Sequence, residues 1–262
     1  MARGAAFFDL DKTLMEGSSA IHFGRAAYRA GMMSRRQLAS DVWANIRFRL
    51  EGASDEATAA LRQRVLDGLA GTPVKELARL GPEVLAGILP RIYPTVLRAA
   101  YEHQDAGRPA YIVTAASQEL ADLLARVLVL DGAIATRSEV KNGVYTGRPD
   151  GPFVYADGKA VAIREMAERE QIDLADSWAY SDSVSDLPML ETVGHAVVVN
   201  PDANLTRIAR DQGWQIMRFD KLGRRLRLLA AATGLAALAG AGGYLTARQR
   251  PRSLVRRLVP SS

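Results

Sequence analysis

Four short segments of the sequence close an apolar run, or open the element after one, with a side chain able to do chemistry. The first, Phe8-Asp9-Leu10-Asp11-Lys12-Thr13-Leu14, sets two carboxylates two residues apart directly after the apolar stretch from Ala5 to Phe8. Carboxylate oxygens suit Mg2+, a hard cation that prefers oxygen ligands. At a strand end such a pair reads as a metal and phosphate site, with a solvated acidic loop as the alternative. The second, Tyr111-Ile112-Val113-Thr114, ends in a hydroxyl that can donate to a phosphoryl oxygen, although threonines at strand ends are common. The third, Asp157-Gly158-Lys159, stands at an expected helix start, where a lysine among aspartates can neutralise phosphate charge. In the fourth, Tyr180-Ser181-Asp182-Ser183-Val184-Ser185-Asp186, two acids lie four residues apart. They are either a helix cap followed by a solvated acid or a pair on one face of a turn that completes a cation's oxygen shell.

The elements that must position these groups follow from the pattern around them. Ala5–Phe8 reads as a buried parallel strand delivering Asp9 to a sheet edge. From about Ser18 to Arg91 the pattern is helical with no convincing strand, giving helices over Ile21–Ala30, Arg35–Leu50, Ser54–Leu69 and Pro73–Ile88, the last open to a break at Gly81-Pro82. After Pro94 helix and strand alternate. Helices fall at Thr95–Asp105, Gln118–Leu128 and Lys159–Glu170, with a helical turn at Asp186–Leu190. Strands fall at Pro109–Val113, Ala133–Thr136, Trp178–Tyr180 and Ala196–Val199. Residues 138–155 are turn-rich, with Asn142-Gly143 a hairpin signal. This rhythm implies an α/β fold: a doubly wound parallel sheet covered on both faces, with a helical block inserted above the strand ends, where ligands bind in such sheets.

Composition narrows the chemistry. The chain of 262 residues contains no cysteine, which excludes disulfides, thiolate catalysis and cysteine-ligated metals, and its three histidines are widely separated. The formal charge of +5 is unevenly spread. From Lys221 onward there are nine Lys or Arg and no acid, leaving 25 basic against 29 acidic residues before it, a net −4. The basic charge belongs to the tail and does not mark a nucleic-acid-binding domain. The N-terminal apolar run is shorter than the ~7–15 residues of a signal-peptide core, so a cytoplasmic catalytic part is expected.

The four segments span residues 7 to 188 in the order D-x-D-x-T, T, K, D-x-x-x-D. This resembles the haloacid dehalogenase superfamily, and the helical insert is similar to the cap of its subfamily IB, the phosphoserine-phosphatase-like group. The resemblance implies a Rossmann-like core of residues 1–17 and 92–220, an all-helical cap of 18–91, and Mg2+-dependent phosphomonoester hydrolysis through an aspartyl phosphate. It assigns Asp9 as nucleophile and metal ligand, and Asp11 as general acid and base that lends its backbone carbonyl to the metal. Asp182 becomes a metal ligand, Thr114 and Lys159 hold the phosphoryl oxygens, and Asp186 supports the metal shell or anchors Lys159. Arg64, in Leu61-Arg62-Gln63-Arg64-Val65, maps onto the cap arginine that binds substrate, although an exposed amphipathic helix explains it equally well. The aspartate two residues after the nucleophile is the mark of phosphatases in this superfamily. Phosphoserine phosphatases carry a glutamate nine residues after the nucleophile to meet the substrate ammonium; here that position is Ser18. An unpaired buried charge costs several kcal/mol, so L-phosphoserine is the alternative rather than the first choice.

Leu228–Ala247 is a run of twenty uncharged residues, rich in Ala and Gly and flanked by basic clusters. About twenty residues suffice to span a bilayer, so residues 221–262 are expected to span, to lie on an anionic membrane surface, or to form a soluble helix and tail. A membrane-bound tail makes a lipid headgroup phosphate a candidate substrate. A tethered, non-catalytic binding module is the reading of another class.

Overall fold

A computed structural model of the chain describes residues 3–34, 36 and 55–219. The described elements run β1 (Ala6–Asp9), α1 (Ser19–Arg29), α2 (Asp55–Leu69), α3 (Val74–Arg79), α4 (Gly81–Ile88), a 3-10 turn at Leu89–Arg91, α5 (Pro94–Asp105), β2 (Ala110–Ser117), α6 (Gln118–Val127) and β3 (Gly132–Thr136). They continue with β4 (Ser138–Lys141), β5 (Val144–Pro149), α7 (Asp157–Glu170), β6 (Trp178–Ser181), a 3-10 turn at Val184–Asp186, α8 (Leu187–Glu191), β7 (His195–Val199), α9 (Ala203–Asp211) and β8 (Gln215–Met217).

Six strands form one parallel sheet in the order β3-β2-β1-β6-β7-β8. The chain steps outward from β1 to β3 on one side, then crosses to β6 and steps outward to β8. The direction therefore reverses between β1 and β6, which opens a crevice at the carboxyl ends of these strands. The strands are apolar on both faces because helices cover both. On one face Phe7, Tyr111, Val113, Ala179 and Val198 pack with Ile163 and Met166 of α7, Leu190 of α8 and Leu205 of α9. On the other, Phe8 stacks on Tyr180 and meets His103 of α5 edge-on. Ala5 to Phe8 are fully buried. The doubly wound α/β architecture expected from the sequence is the one observed.

Between Ser18 and Arg91 the described residues are mainly helical, with differences from the expected helices. Residues 73–88 make two helices, not one, and the break comes at Leu80, the residue before Gly81-Pro82. The expected helix over Arg35–Leu50 lies outside the described residues. Strand-like contacts occur where none was expected: Pro73 bridges Val144 and Met15 bridges Ile92. The hairpin β4–β5 turns at Asn142 and Gly143 with φ of 53° and 77°, the paired positive φ of a tight two-residue turn. Its backbone also bonds the insert, through Gly71 N–H to the Tyr145 carbonyl at 2.9 Å and Val74 N–H to the Gly143 carbonyl at 3.0 Å. The described residues up to Arg218 belong to one compact unit. Residues 220–262, with the expected membrane segment 228–247, lie outside the described residues. Among the described residues no helix is long and apolar enough to cross a membrane.

Candidate active site

The sheet register brings the four motifs to one edge. Asp9, the last residue of β1, pairs with Val113, so Thr114 stands one step beyond it on β2. Phe8 pairs with Tyr180, which places Ser181, the last residue of β6, level with Asp9 and Asp182 just beyond the strand end. Thr114 does not end its strand as expected. β2 runs on to Ser117 through a register shift against β3, and the Ala116 N–H turns back onto Thr114 Oγ1 at 3.2 Å.

After Asp9 the chain coils tightly, with Lys12 at a φ of 62° and Leu14 N–H bonded to the carbonyls of Asp9 (3.2 Å) and Leu10 (3.1 Å). This coil turns Thr13 inward. Fully buried, its hydroxyl accepts from Asp182 N–H at 3.0 Å and donates to Asp182 Oδ1 at 3.4 Å, tying the β1 loop to the β6 loop.

Lys159 reaches the site from the first turn of α7. A Cβ on Gly158 would stand 1.9 Å from the Phe153 carbonyl oxygen, so only glycine lets the helix begin this close to the preceding loop. The ammonium of Lys159 is buried and bonds Asp9 Oδ1 at 2.5 Å and Asp186 Oδ2 at 2.7 Å. Asp186 Oδ2 also accepts from Ser181 Oγ at 2.6 Å. Asp186 is thus aimed at Lys159, the anchoring alternative of the two expected for it. The Asp11 carboxylate accepts from Ser18 Oγ at 2.7 Å and from Ser19 N–H, the first residue of α1, at 2.8 Å. The first helix of the insert therefore grips the expected general acid. Arg64 does not join this group. It is exposed on α2, and its Nε donates to the Ala60 carbonyl of its own helix at 3.3 Å.

Electrostatics make the cluster acidic. Burial is the largest cause pushing the Asp9 carboxyl up, to about 8; Asp186 and Asp182 push the same way, and Lys159 opposes them. Burial pulls the Lys159 ammonium down, but Asp186 and Asp9 outweigh it and hold the proton more firmly than usual. Asp9 and Asp186 thus share one ammonium, with Asp182 a third acid acting on Asp9. Among the described residues no group of three or more His, Asp or Glu is placed to hold a metal ion by itself. Mg2+ does not need one, because it keeps several waters and binds through one or two carboxylates. Asp9 and Asp182 are the two carboxylates here that could serve it, and their hard oxygens suit a divalent cation.

Three contributors have roles that the sequence does not signal. Thr13 is part of the D-x-D-x-T pattern with no role assigned, Ser18 stands out only as a departure from the phosphoserine phosphatase pattern, and Ser181 merely precedes an acid.

Known proteins share this architecture. A family model described as haloacid dehalogenase-like hydrolase matches residues 6–191. Phosphoserine phosphatase SerB1 of Mycobacterium tuberculosis (strain ATCC 25618 / H37Rv) is 40% identical over 245 residues, covering 93% of this chain and 79% of that protein. A second protein of that strain, described as a probable phosphatase, is 37% identical over 260 residues, covering 95% of this chain and 90% of that protein. Among solved structures, a protein of unknown function from Bordetella pertussis Tohama I superposes with a TM-score of 0.72 at 29% identity, covering 83% of this chain and 99% of that one.

Proposed function

The chain belongs to the haloacid dehalogenase-like hydrolases and is a phosphatase; from that premise we propose that it hydrolyses phosphomonoesters through an aspartyl phosphate on Asp9, with Mg2+ as cofactor. The observation that carries this reading is the buried Asp9–Lys159–Asp186 ion cluster at the crevice between β1 and β6.

Asp9 Oδ attacks phosphorus, forming the acyl phosphate as the P–O bond to the leaving group breaks. Asp11 gives its proton to the departing alkoxide. The Asp11 carboxylate then takes a proton from water, whose oxygen attacks phosphorus and frees phosphate from Asp9. General acid and base steps of this kind contribute about 10²–10⁴ in rate. Lys159 and Thr114 hold the phosphoryl oxygens, and Lys159 offsets repulsion between the nucleophile and an anionic ester. Asp9, Asp182 and the backbone carbonyl of Asp11 would hold Mg2+, which would supply further positive charge for the transferring group. Thr13 and Ser181 act through their partners, fixing Asp182 and Asp186.

The test is phosphate release by wild type and Asp9→Asn, with Mg2+ or with a chelator, across soluble and lipid phosphomonoesters. Turnover requiring both Asp9 and Mg2+ is expected. Activity surviving in Asp9→Asn overturns the nucleophile, and the absence of turnover on every ester favours the non-catalytic module. The name of the SerB1 relative makes L-phosphoserine the second reading. Against it stands Ser18: it brings a hydroxyl, already bonded to Asp11, where an ammonium would need a carboxylate. The lipid headgroup reading rests on the tail's sequence alone, and the lipid esters in the panel decide it.

A further inference from the structure

We propose that His22, Arg25 and Arg91 form a built cationic site beside Asp11 that takes a second anionic group, a carboxylate or a phosphate, on the part of the substrate away from the scissile ester. This rests on the phosphatase reading and narrows its substrate class.

The placement comes from the backbone. His22 lies on the first turn of α1, three residues after Ser19, whose N–H holds Asp11. Arg91 closes the 3-10 turn, and the strand-like stretch it opens runs along the loop that follows Asp9. The Arg91 carbonyl accepts from Glu16 N–H at 2.8 Å, Ile92 bridges Met15, and Tyr93 N–H bonds the Leu14 carbonyl at 2.9 Å. Residues 89–93 therefore flank the stretch between the nucleophile and α1.

The side chains are held as a set. Arg91 Nε donates to His22 Nε2 at 3.1 Å, which requires a neutral imidazole with its proton on Nδ1. That ring is seated against Gly87 of α4, where a Cβ would stand 2.3 Å from His22 Nδ1. Gly87 is the penultimate residue of α4, and its missing Cβ makes the room the imidazole occupies. Using Nε to bond the ring leaves the two terminal amines of Arg91 as a fork, the geometry that grips a carboxylate or phosphate. Arg25 lies three residues beyond His22 on α1. Among the described residues neither Arg25 nor Arg91 has a carboxylate within bridging distance, whereas Arg29, one turn further along α1, pairs with Glu83 at 2.6 Å. The groups share one field: burial, then Arg91 and Arg25, hold the His22 imidazole below its ordinary proton affinity, and Asp11 opposes them.

An unpaired surface arginine is ordinary. An arginine oriented by a histidine, itself seated by a helix glycine next to the acid-base residue, is not. Two guanidinium groups at this position attract a distal anion and repel a distal ammonium.

The test compares kcat/KM of the full chain on four esters: 3-phosphoglycerate, propane-1,3-diol bisphosphate, glycerol 1-phosphate and phosphoethanolamine, with p-nitrophenyl phosphate as reference. The wild type is expected to prefer the first two over glycerol 1-phosphate by ~10-fold or more, the scale of a charge-assisted pair, and to use phosphoethanolamine least. Whichever of the two leads identifies the distal group as carboxylate or phosphate. Arg91→Gln is expected to shrink the preference ~10-fold, through KM, by losing far more on the diacid than on p-nitrophenyl phosphate. Gly87→Ala, which retains the Arg91 side chain but unseats the His22 ring that orients it, should lose part of the same ratio. A wild-type preference near one, or a preference unchanged in Arg91→Gln, overturns the anion site while leaving the phosphatase intact. Failure of the wild type to hydrolyse even p-nitrophenyl phosphate overturns the phosphatase reading and this site with it.

Discussion

At the residue scale, Lys159 holds together what would otherwise repel. Asp9 and Asp186 are both buried, and its ammonium bonds each of them. Removing one partner of a buried ion pair leaves uncompensated charge and costs about 3–5 kcal/mol. Lys159→Met is therefore expected to lower unfolding free energy by roughly that amount in urea titration and to abolish phosphate release. A stability loss below about 1 kcal/mol, the range of exposed pairs, would show that the cluster is not acting as a buried ion pair. His103 gives a second prediction. It is buried beneath β1 and β6, bonding Tyr180 Oη through Nε2 at 2.9 Å and accepting from Arg108 Nε on Nδ1 at 2.9 Å. Burial, with Arg108 second, lowers its proton affinity to about 4 from 6.5. The unfolded chain then binds the extra proton between these values, so the stabilisation is complete above pH 6.5 and is lost as pH falls toward 4. It amounts to on the order of 1–2 kcal/mol. Melting temperatures over that window should fall less in His103→Gln than in wild type, and equal slopes would remove His103 as the cause. The sequence made Asp9, Lys159 and Asp186 legible because charged residues at strand ends demand an explanation. It hid His103, Ser18 and Thr13, whose partners are 77, 7 and 169 residues distant. Arg64 was legible only through resemblance, and in this structure its Nε bonds the Ala60 carbonyl of its own helix.

At the scale of elements, the start of α7 is the most constrained junction of the site. Tyr155 N–H bonds the Phe153 carbonyl at 2.8 Å, Gly158 N–H bonds the Tyr155 carbonyl at 2.9 Å, and Ala156 sits at a φ of 48°. Overpacking a tight interior costs about 1–3 kcal/mol, and at Gly158 the obstacle is backbone, which does not rotate away. Gly158→Ala should move the helix start and carry Lys159 off Asp9. A loss of phosphate release of ~10-fold or more is expected from a displacement on the order of 1 Å, together with a lower melting temperature. Unchanged activity would mean that Lys159 is positioned by its ion pairs and not by the helix. Strands β1, β2 and β6 were legible because buried parallel strands are continuous apolar runs. The terminal pair α9 and β8 was not expected. β8 has three residues, none of them fully buried, and leaves almost no periodic signal. α9 nevertheless carries signals in the sequence: its cap Asp202, which accepts from Leu205 N–H at 2.8 Å, and the helical spacing of Leu205, Ile208 and Ala209. The contact of the β4–β5 hairpin with the insert was invisible, because backbone bonds between distant segments leave no mark on side-chain pattern.

At the scale of the whole molecule, charge is divided along the chain rather than mixed. Residues 1–220 carry a net −4, and the nine basic residues from Lys221 onward have no acid among them. Each Lys or Arg near an anionic bilayer contributes about 1 kcal/mol, an attraction that fades within a Debye length. The acidic body opposes that attraction, so any adhesion is expected to arise from the tail alone. The full chain should co-sediment with vesicles containing anionic lipid, and a chain ending at Arg218 should stay in the supernatant. Release of the full chain by ~0.5 M salt, where the Debye length shrinks to about 4 Å, would identify charge as the source. Retention at that salt, or on zwitterionic vesicles, would assign the adhesion to the apolar run 228–247. Binding by the shortened chain would place the surface on the body instead, against its net charge. If neither chain binds, the tail has no membrane role, and a lipid headgroup loses its only support as a substrate.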